Sequence, residues 1–162
     1  MKRAATFRSL ANSTPKQNGG FTLIEILIAV LIIGVLGSLA LVSYTDYVDT
    51  ANFQVLGSNY ETAIQTAQKN YVAAEQLAST GAVVTRVVPA DSQGWVDLLN
   101  STNAAAPEGG DAFVVGSGDS AAGAVGVVFS GTYDDGDSAV VISRPAYSGM
   151  VFESVTVAQA DF

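Results

Sequence analysis

Hydrophobic and polar positions divide the chain into stretches of different rhythm. From Phe21 to Val42 the run FTLIEILIAVLIIGVLGSLALV carries only Thr22, Glu25 and Ser38 as polar residues, so no helical face within it is polar. About 20 such residues suffice to cross a bilayer as a helix. Beyond Val42 the rhythm changes. Phe53, Leu56, Tyr60, Ala63, Ile64, Ala67, Tyr71 and Ala74 recur every three or four residues and mark one apolar stripe. The opposite face is read as Asn52, Asn59, Gln65, Lys69 and Gln76, with Gly57 as a place for a bend. No proline intervenes before Pro89, and Ser79-Thr80-Gly81 gives a stop signal. One helix from Phe21 to about Leu77 is expected, roughly 85 Å long at 1.5 Å per residue.

The remainder has the pattern of a small sheet. Residues 79–94 read as a connection in which Val83-Val84 and Arg86-Val87-Val88 form a short strand. Gly94 to Leu99 reads as one or two helical turns carrying the single tryptophan, Trp95, as a core anchor. Ala104 to Gly110 is a loop by its Pro and Gly content. Four strand-like runs follow: Ala112–Gly116, Ala124–Tyr133, Ser138–Ser143 and Met150–Val157, rich in Val, Ile and Phe. Asp135-Gly136 is a hairpin signal between the second and third runs, and Ser148-Gly149 precedes the last. The expected fold class is α+β: an antiparallel meander whose missing layer is the amphipathic half of the long helix.

Charge sharpens this division. The first 20 residues hold Lys2, Arg3, Arg8 and Lys16 and no acid; everything later holds three basic residues against fifteen acids, a net charge of −12. Basic residues ahead of an apolar span stay in the cytoplasm, which places the carboxyl-terminal body outside. So acidic a body excludes nucleic acid as the main partner, since phosphate binding needs a basic surface. The chain has no Cys and no His, which excludes a disulfide staple, the usual zinc sites, and catalysis based on either residue.

Glu25 is the anomaly. A carboxylate inside hydrocarbon costs roughly 2.5–3.5 kcal/mol on insertion scales and ordinarily has a partner and a function. A cleaved signal peptide, with Ser38-Leu39-Ala40 as its small-x-small site, or a plain signal anchor would explain neither Glu25 nor Gly19-Gly20 ahead of the apolar run. Gly20-Phe21-Thr22-Leu23-Ile24-Glu25, followed by the uninterrupted apolar helix, resembles the processing site of type IV prepilins and type II secretion pseudopilins. Gly34 falls where that family commonly has a glycine, and Tyr44-x-Asp46-Tyr47 resembles the stretch just past the apolar segment in many type IVa pilins. Proline, common in the family at the position of Val42, is absent, as is the cysteine-bounded loop near the carboxyl terminus.

The resemblance implies a leader peptide over 1–20, a helix over 21–78 with its transmembrane half at 21–42, and a globular pilin domain over 79–162 with its sheet at 112–157. It implies cleavage between Gly20 and Phe21 by a prepilin peptidase and N-methylation of Phe21. Glu25 would pair with the amino-terminal amine of a neighbouring subunit, so that docking neutralises a buried charge. The small residues Gly34 and Gly37 would allow close helix packing. The implied protein is a structural subunit of a type IV pilus-like filament, a helical homo-oligomer without a cofactor. It would start in the inner membrane and be polymerised by an assembly ATPase and a platform protein. A type II secretion pseudopilin or minor pilin is the alternative, with a periplasmic pseudopilus as its location. From another class, a monomeric membrane-anchored binding protein of the periplasm would keep its leader uncut.

Candidate chemistry elsewhere is sparse, and no enzymatic activity is expected. Asp134, Asp135 and Asp137 cluster three carboxylates, and calcium favours several oxygens on a tight turn. The spacing lacks the D-x-D-x-D-G pattern, so an acidic, solvated hairpin turn is expected, although some pseudopilins bind calcium. The Gly-rich stretch from Gly116 to Gly123 lacks the lysine of a phosphate loop and reads as a surface loop.

Overall fold

The computed structural model describes residues 20–162. Two compact units divide the chain, one ending at Val42 and the other comprising Ser43–Phe162. Helix α1 covers Leu23–Ser79 and so contributes to both.

In the first unit α1 begins at Leu23 and not at Phe21. Thr22, the last non-helical residue, caps the helix. Beyond it the segment to Val42 is helical and exposed on every side. α1 is, among the described residues, the one helix long and apolar enough to cross a membrane.

In the second unit the stripe is buried as its spacing requires. Leu56, Tyr60, Ala63, Ala67, Tyr71 and Ala74 face the core, with Phe53, Ile64 and Leu77 packed at its margin. The helix ends in a Schellman motif: Gly81 N–H donates to the Ala78 carbonyl and Ala82 N–H to that of Leu77, both at 3.0 Å. Gly81 takes φ +74°, a conformation that favours glycine. Asn59, expected on the solvated face, is instead buried. Its Nδ2 donates to the Ala105 carbonyl at 3.0 Å, which offsets the cost of removing an amide from water. Asn52, two turns earlier, is half-buried and donates to the Tyr147 hydroxyl at 3.1 Å, while that hydroxyl donates to Glu108 Oε1 at 2.5 Å. The two asparagines thus hold the 104–108 loop and Tyr147 across the helix.

The connection after α1 also differs from expectation. Val84–Arg86 forms a turn of 3₁₀-helix and no strand. Val84 and Val88 are both buried, and winding brings them onto one core patch; an extended chain would hold them about 13 Å apart. Helix α2, Ser92–Asn100, begins two residues before Gly94 because the Asp91 carboxylate accepts from Gly94 N–H at 2.7 Å as an N-cap. It buries Trp95, Val96 and Leu99. Trp95 is fully enclosed, with its ring centroid 6.1 Å from that of Tyr71. Asn100 then exchanges two hydrogen bonds with the backbone of Phe113, tying α2 to the first strand.

Four strands form one sheet in sequence order: β1 Phe113–Val115, β2 Val125–Ser130, β3 Ala139–Arg144 and β4 Glu153–Ala158. The rows Val127–Ile142–Val155 and Phe129–Val140–Val157 cross β2, β3 and β4 on the face turned to the core. The β2–β3 and β3–β4 pairs are antiparallel, but β1 and β2 run parallel, so the sheet is mostly antiparallel and not a pure meander. The reason lies in residues 116–124, which fold back rather than turn tightly. Asp119 N–H donates to the Ala124 carbonyl at 2.9 Å, and the Asp119 carboxylate accepts from Ala121 and Ala122 N–H. This loop lies directly over β2. A Cβ on Gly126 would stand 2.2 Å from Gly118 N and 2.3 Å from Gly116 O.

Two boundaries moved as well. Asp135-Gly136 does not make a two-residue hairpin; it lies inside the longer 131–138 loop, closed by the Ser130–Ala139 pair. Met150–Phe152 stays outside β4 because β3 ends at Arg144, before Pro145, which has no N–H to offer a ladder. Arg144 and Glu153 close that end with an ion pair at 2.6 Å, and the guanidinium sits 5.6 Å from the centroid of the Tyr60 ring.

Two outcomes follow for the detergent-solubilised full chain. Gly126→Ala forces the 116–118 loop off the sheet and lowers stability by about 1–3 kcal/mol, read by urea unfolding through Trp95 fluorescence. The second concerns alkali. Burial raises the hydroxyls of Tyr60, Tyr71, Tyr133 and Tyr147 above the ordinary phenol value of 10.0. The unfolded chain therefore loses these protons first, and stability falls as pH rises through 10 while remaining intact below it. Absorbance at 295 nm is expected to lag the titration of free tyrosine and then rise together with loss of the Trp95 signal.

Candidate processing and assembly site

The site is assembled from one short stretch at the start of α1. Gly20, Phe21 and Thr22 are non-helical, so the Gly20–Phe21 peptide bond lies just ahead of the first helical turn. A Cβ on Gly20 would meet nothing within 4 Å, and Phe21 is 85% exposed. Among the described residues nothing shields this bond or requires glycine there; a requirement for glycine would come from an enzyme that reads the segment. The leader residues Lys2, Arg3, Arg8, Lys16 and Gly19 lie outside the described residues.

Glu25 has a local role that the sequence reading missed. Thr22 N–H and Thr22 Oγ both donate to Glu25 Oε2 at 2.8 Å, while Glu25 N–H donates to Thr22 Oγ at 3.3 Å. This is a capping box, with threonine at the N-cap and glutamate three residues on. The signal was present as T-x-x-E at the head of an apolar run. The carboxylate is thereby held at the helix N-terminus, where the backbone dipole favours negative charge. In the uncut chain the Phe21 nitrogen is an amide, so a free amine arises only on cleavage. Such an amine would appear one helical turn from a carboxylate already fixed in place.

Downstream, Gly34 and Gly37 have open space where a Cβ would stand, so both present bare backbone at the helix surface. Ser38 Oγ satisfies itself by donating to the Val35 carbonyl at 2.8 Å. Tyr44 and Tyr47 are exposed at the start of the second unit.

The acidic hairpin candidate lies elsewhere. Asp134, Asp135 and Asp137 are all exposed in the 131–138 loop, and two of them serve the loop itself. Asp137 Oδ1 accepts from Thr132 N–H at 2.8 Å, and Asp135 Oδ2 accepts from Thr132 Oγ at 2.6 Å. Among the described residues no group of three or more His, Cys, Asp or Glu is arranged to hold a metal ion.

Residues 15–41 match the family model described as the prokaryotic N-terminal methylation motif. This is the prepilin-type motif of type IV pilins and type II secretion pseudopilins, and it covers the Gly20–Phe21 junction, the capping box and most of the apolar run. Neither a curated protein nor a solved structure matches the chain. The motif implies processing by a prepilin peptidase and a role in pilus-type systems, and it agrees with an inner-membrane precursor. The long helix packed on a mostly antiparallel sheet has the layout of a pilin.

Calcium is expected to leave the unfolding midpoint of the solubilised chain unchanged. Asp137→Ala, which strips Thr132 N–H of its acceptor, is expected to lower stability by about 1 kcal/mol, measured by thermal unfolding with and without EDTA.

Proposed function

We propose that the chain is the structural subunit of a type IV pilus-like filament, polymerising through the apolar part of α1 once the leader is removed. The observation that carries this reading is the motif at 15–41 together with the helical segment it contains, whose side chains are exposed all round and whose one charge, to Val42, is Glu25. Such a surface needs cover, first from lipid and then from other copies of itself. The roles follow from position. Gly20 and Phe21 form the cleavage site, and Phe21 supplies the amine that is methylated. Glu25, held by Thr22, receives the amine of a neighbouring subunit. Gly34 and Gly37 let helix backbones approach in the assembled core. Pairing lowers the cost of a carboxylate in hydrocarbon only when a neighbour docks in register, so Glu25 acts as an assembly device. In this scheme the subunit performs no catalysis; cleavage, methylation and energy input belong to partner proteins.

Mass spectrometry of the amino-terminal peptide tests the processing step. The mature chain is expected to begin at a methylated Phe21; a start at Met1 or Leu41 overturns the reading. Glu25→Ala is expected to leave cleavage intact and to abolish filaments or reduce them at least about tenfold, equivalent to the loss of a paired buried charge. In cells lacking the gene, lost surface filaments support a pilus subunit. Intact filaments with failed export assign the chain to a secretion pseudopilus instead.

A further inference from the structure

Two recesses adjoin on the surface of the Ser43–Phe162 unit, and Val84, Tyr133 and Asp134 line both. The more enclosed one holds about 190 Å³. Its apolar wall is Val84, Val88, Pro89 and Phe129. The 3₁₀ turn draws Val84 and Val88 into the core, while Phe129, near the end of β2, is left half-buried beside them. The other recess is open and polar, with Glu75 of α1 and Gln159 in its lining. The three acids of the 131–138 loop differ in what they do. Asp135 and Asp137 accept hydrogen bonds from Thr132, whereas Asp134 is turned to the recesses. Among the described residues neither Asp134 nor Glu75 enters a hydrogen bond or an ion pair. Burial, and then the charge of Glu75, raise the Tyr133 hydroxyl above the ordinary phenol value, so Glu75 faces the ring that joins the recesses. Lys69 lies elsewhere on α1, beside Gln65 and Phe162, and Arg144 is paired with Glu153.

We propose that this groove binds a small aralkylamine: an organic ammonium ion carrying one ring-sized apolar group. Glu75 and Asp134 flank the ammonium, and Val84, Val88, Pro89 and Phe129 hold the ring. Charge and volume select the occupant together. Two carboxylates without a counter-charge attract a cation and repel an anion, and an aromatic ring beside them favours a cation further. A metal ion would leave the apolar wall unused, and no group of three or more acids is arranged to hold one among the described residues. A cavity of about 150 Å³ suffices for benzene, so this one has room for a ring and its first methylene. Drug-sized ligands need about 300 Å³ or more and would not fit. The inference stands apart from the filament reading, because it needs only the folded second unit.

A fluorinated amine tests this on the detergent-solubilised full chain. Para-fluorophenethylammonium is titrated and followed by fluorine NMR, with detergent alone as the blank. It is expected to bind more tightly than para-fluorophenethyl alcohol, its neutral counterpart, by roughly threefold to tenfold. Glu75→Gln combined with Asp134→Asn, both at exposed positions, is expected to erase that difference and to leave Trp95 fluorescence unchanged. Arg86→Gln, in the 3₁₀ turn, is expected to bind the amine at least as tightly as wild type. Methylammonium, which has no ring, is expected not to displace the fluorinated amine. Equal binding of amine and alcohol to the wild type overturns the assignment, as does equal binding of the amine to wild type and to the doubly substituted chain. Loss of the amine in Arg86→Gln, or its displacement by methylammonium, overturns it too. An alanine-rich peptide with one phenylalanine–lysine pair that binds where the free amine does not gives the groove to a peptide and overturns the small-amine assignment.

Discussion

Uncovered hydrocarbon along Leu23–Val42 is the constraint on which the other features depend. A helix with apolar side chains on every side has no stable state in water, and lipid or another protein must enclose it. Enclosure makes the charge at Glu25 expensive, and an arrangement that supplies a counter-charge lowers that cost. The capping box adds a geometric condition. Thr22 holds the carboxylate at the head of the helix, so the group is oriented before any partner arrives and loses little freedom on pairing. One residue thus links the stability of a helix end to the energetics of a membrane.

The second unit solves a different problem with the same helix. A four-stranded sheet with a three-residue first strand cannot bury enough surface alone, so the stripe from Leu56 to Ala74 serves as its other layer. Alanines at 63, 67 and 74 alternate with Tyr60 and Tyr71, and the large side chains of Trp95 and Phe113 join them in one core. α2 is fixed to this layer by Trp95 and to β1 by Asn100. The result is a domain whose outward helical face is left over from packing.

Much of this was legible in the sequence, and the failures have physical causes. The helix, its stripe, its stop at Gly81 and all four strands follow from short-range periodicity and turn residues, which act locally. The motif around Gly20–Phe21 was legible for the same reason: it is a linear segment, and the family model matches it as one. Asn59 was misplaced because its partner, the Ala105 carbonyl, lies far along the chain and leaves no local trace. The parallel pairing of β1 was missed because a nine-residue excursion, 116–124, has no periodic signature. Val84–Arg86 was misread because β-branched residues favour strands in isolation, whereas here the core draws Val84 and Val88 together. The capping box was readable but overshadowed by the larger motif that contains it.

The clasp formed by Asn52, Tyr147 and Glu108, with Asn59 beside it, has one last implication. A loop strapped over a helix is often secured by a covalent bridge, and this chain has no sulfur with which to form one. Hydrogen bonds do the strapping instead. Folding of the Ser43–Phe162 unit therefore needs no oxidant and no thiol-exchange catalyst, and reductants that open bridged domains would leave this clasp closed.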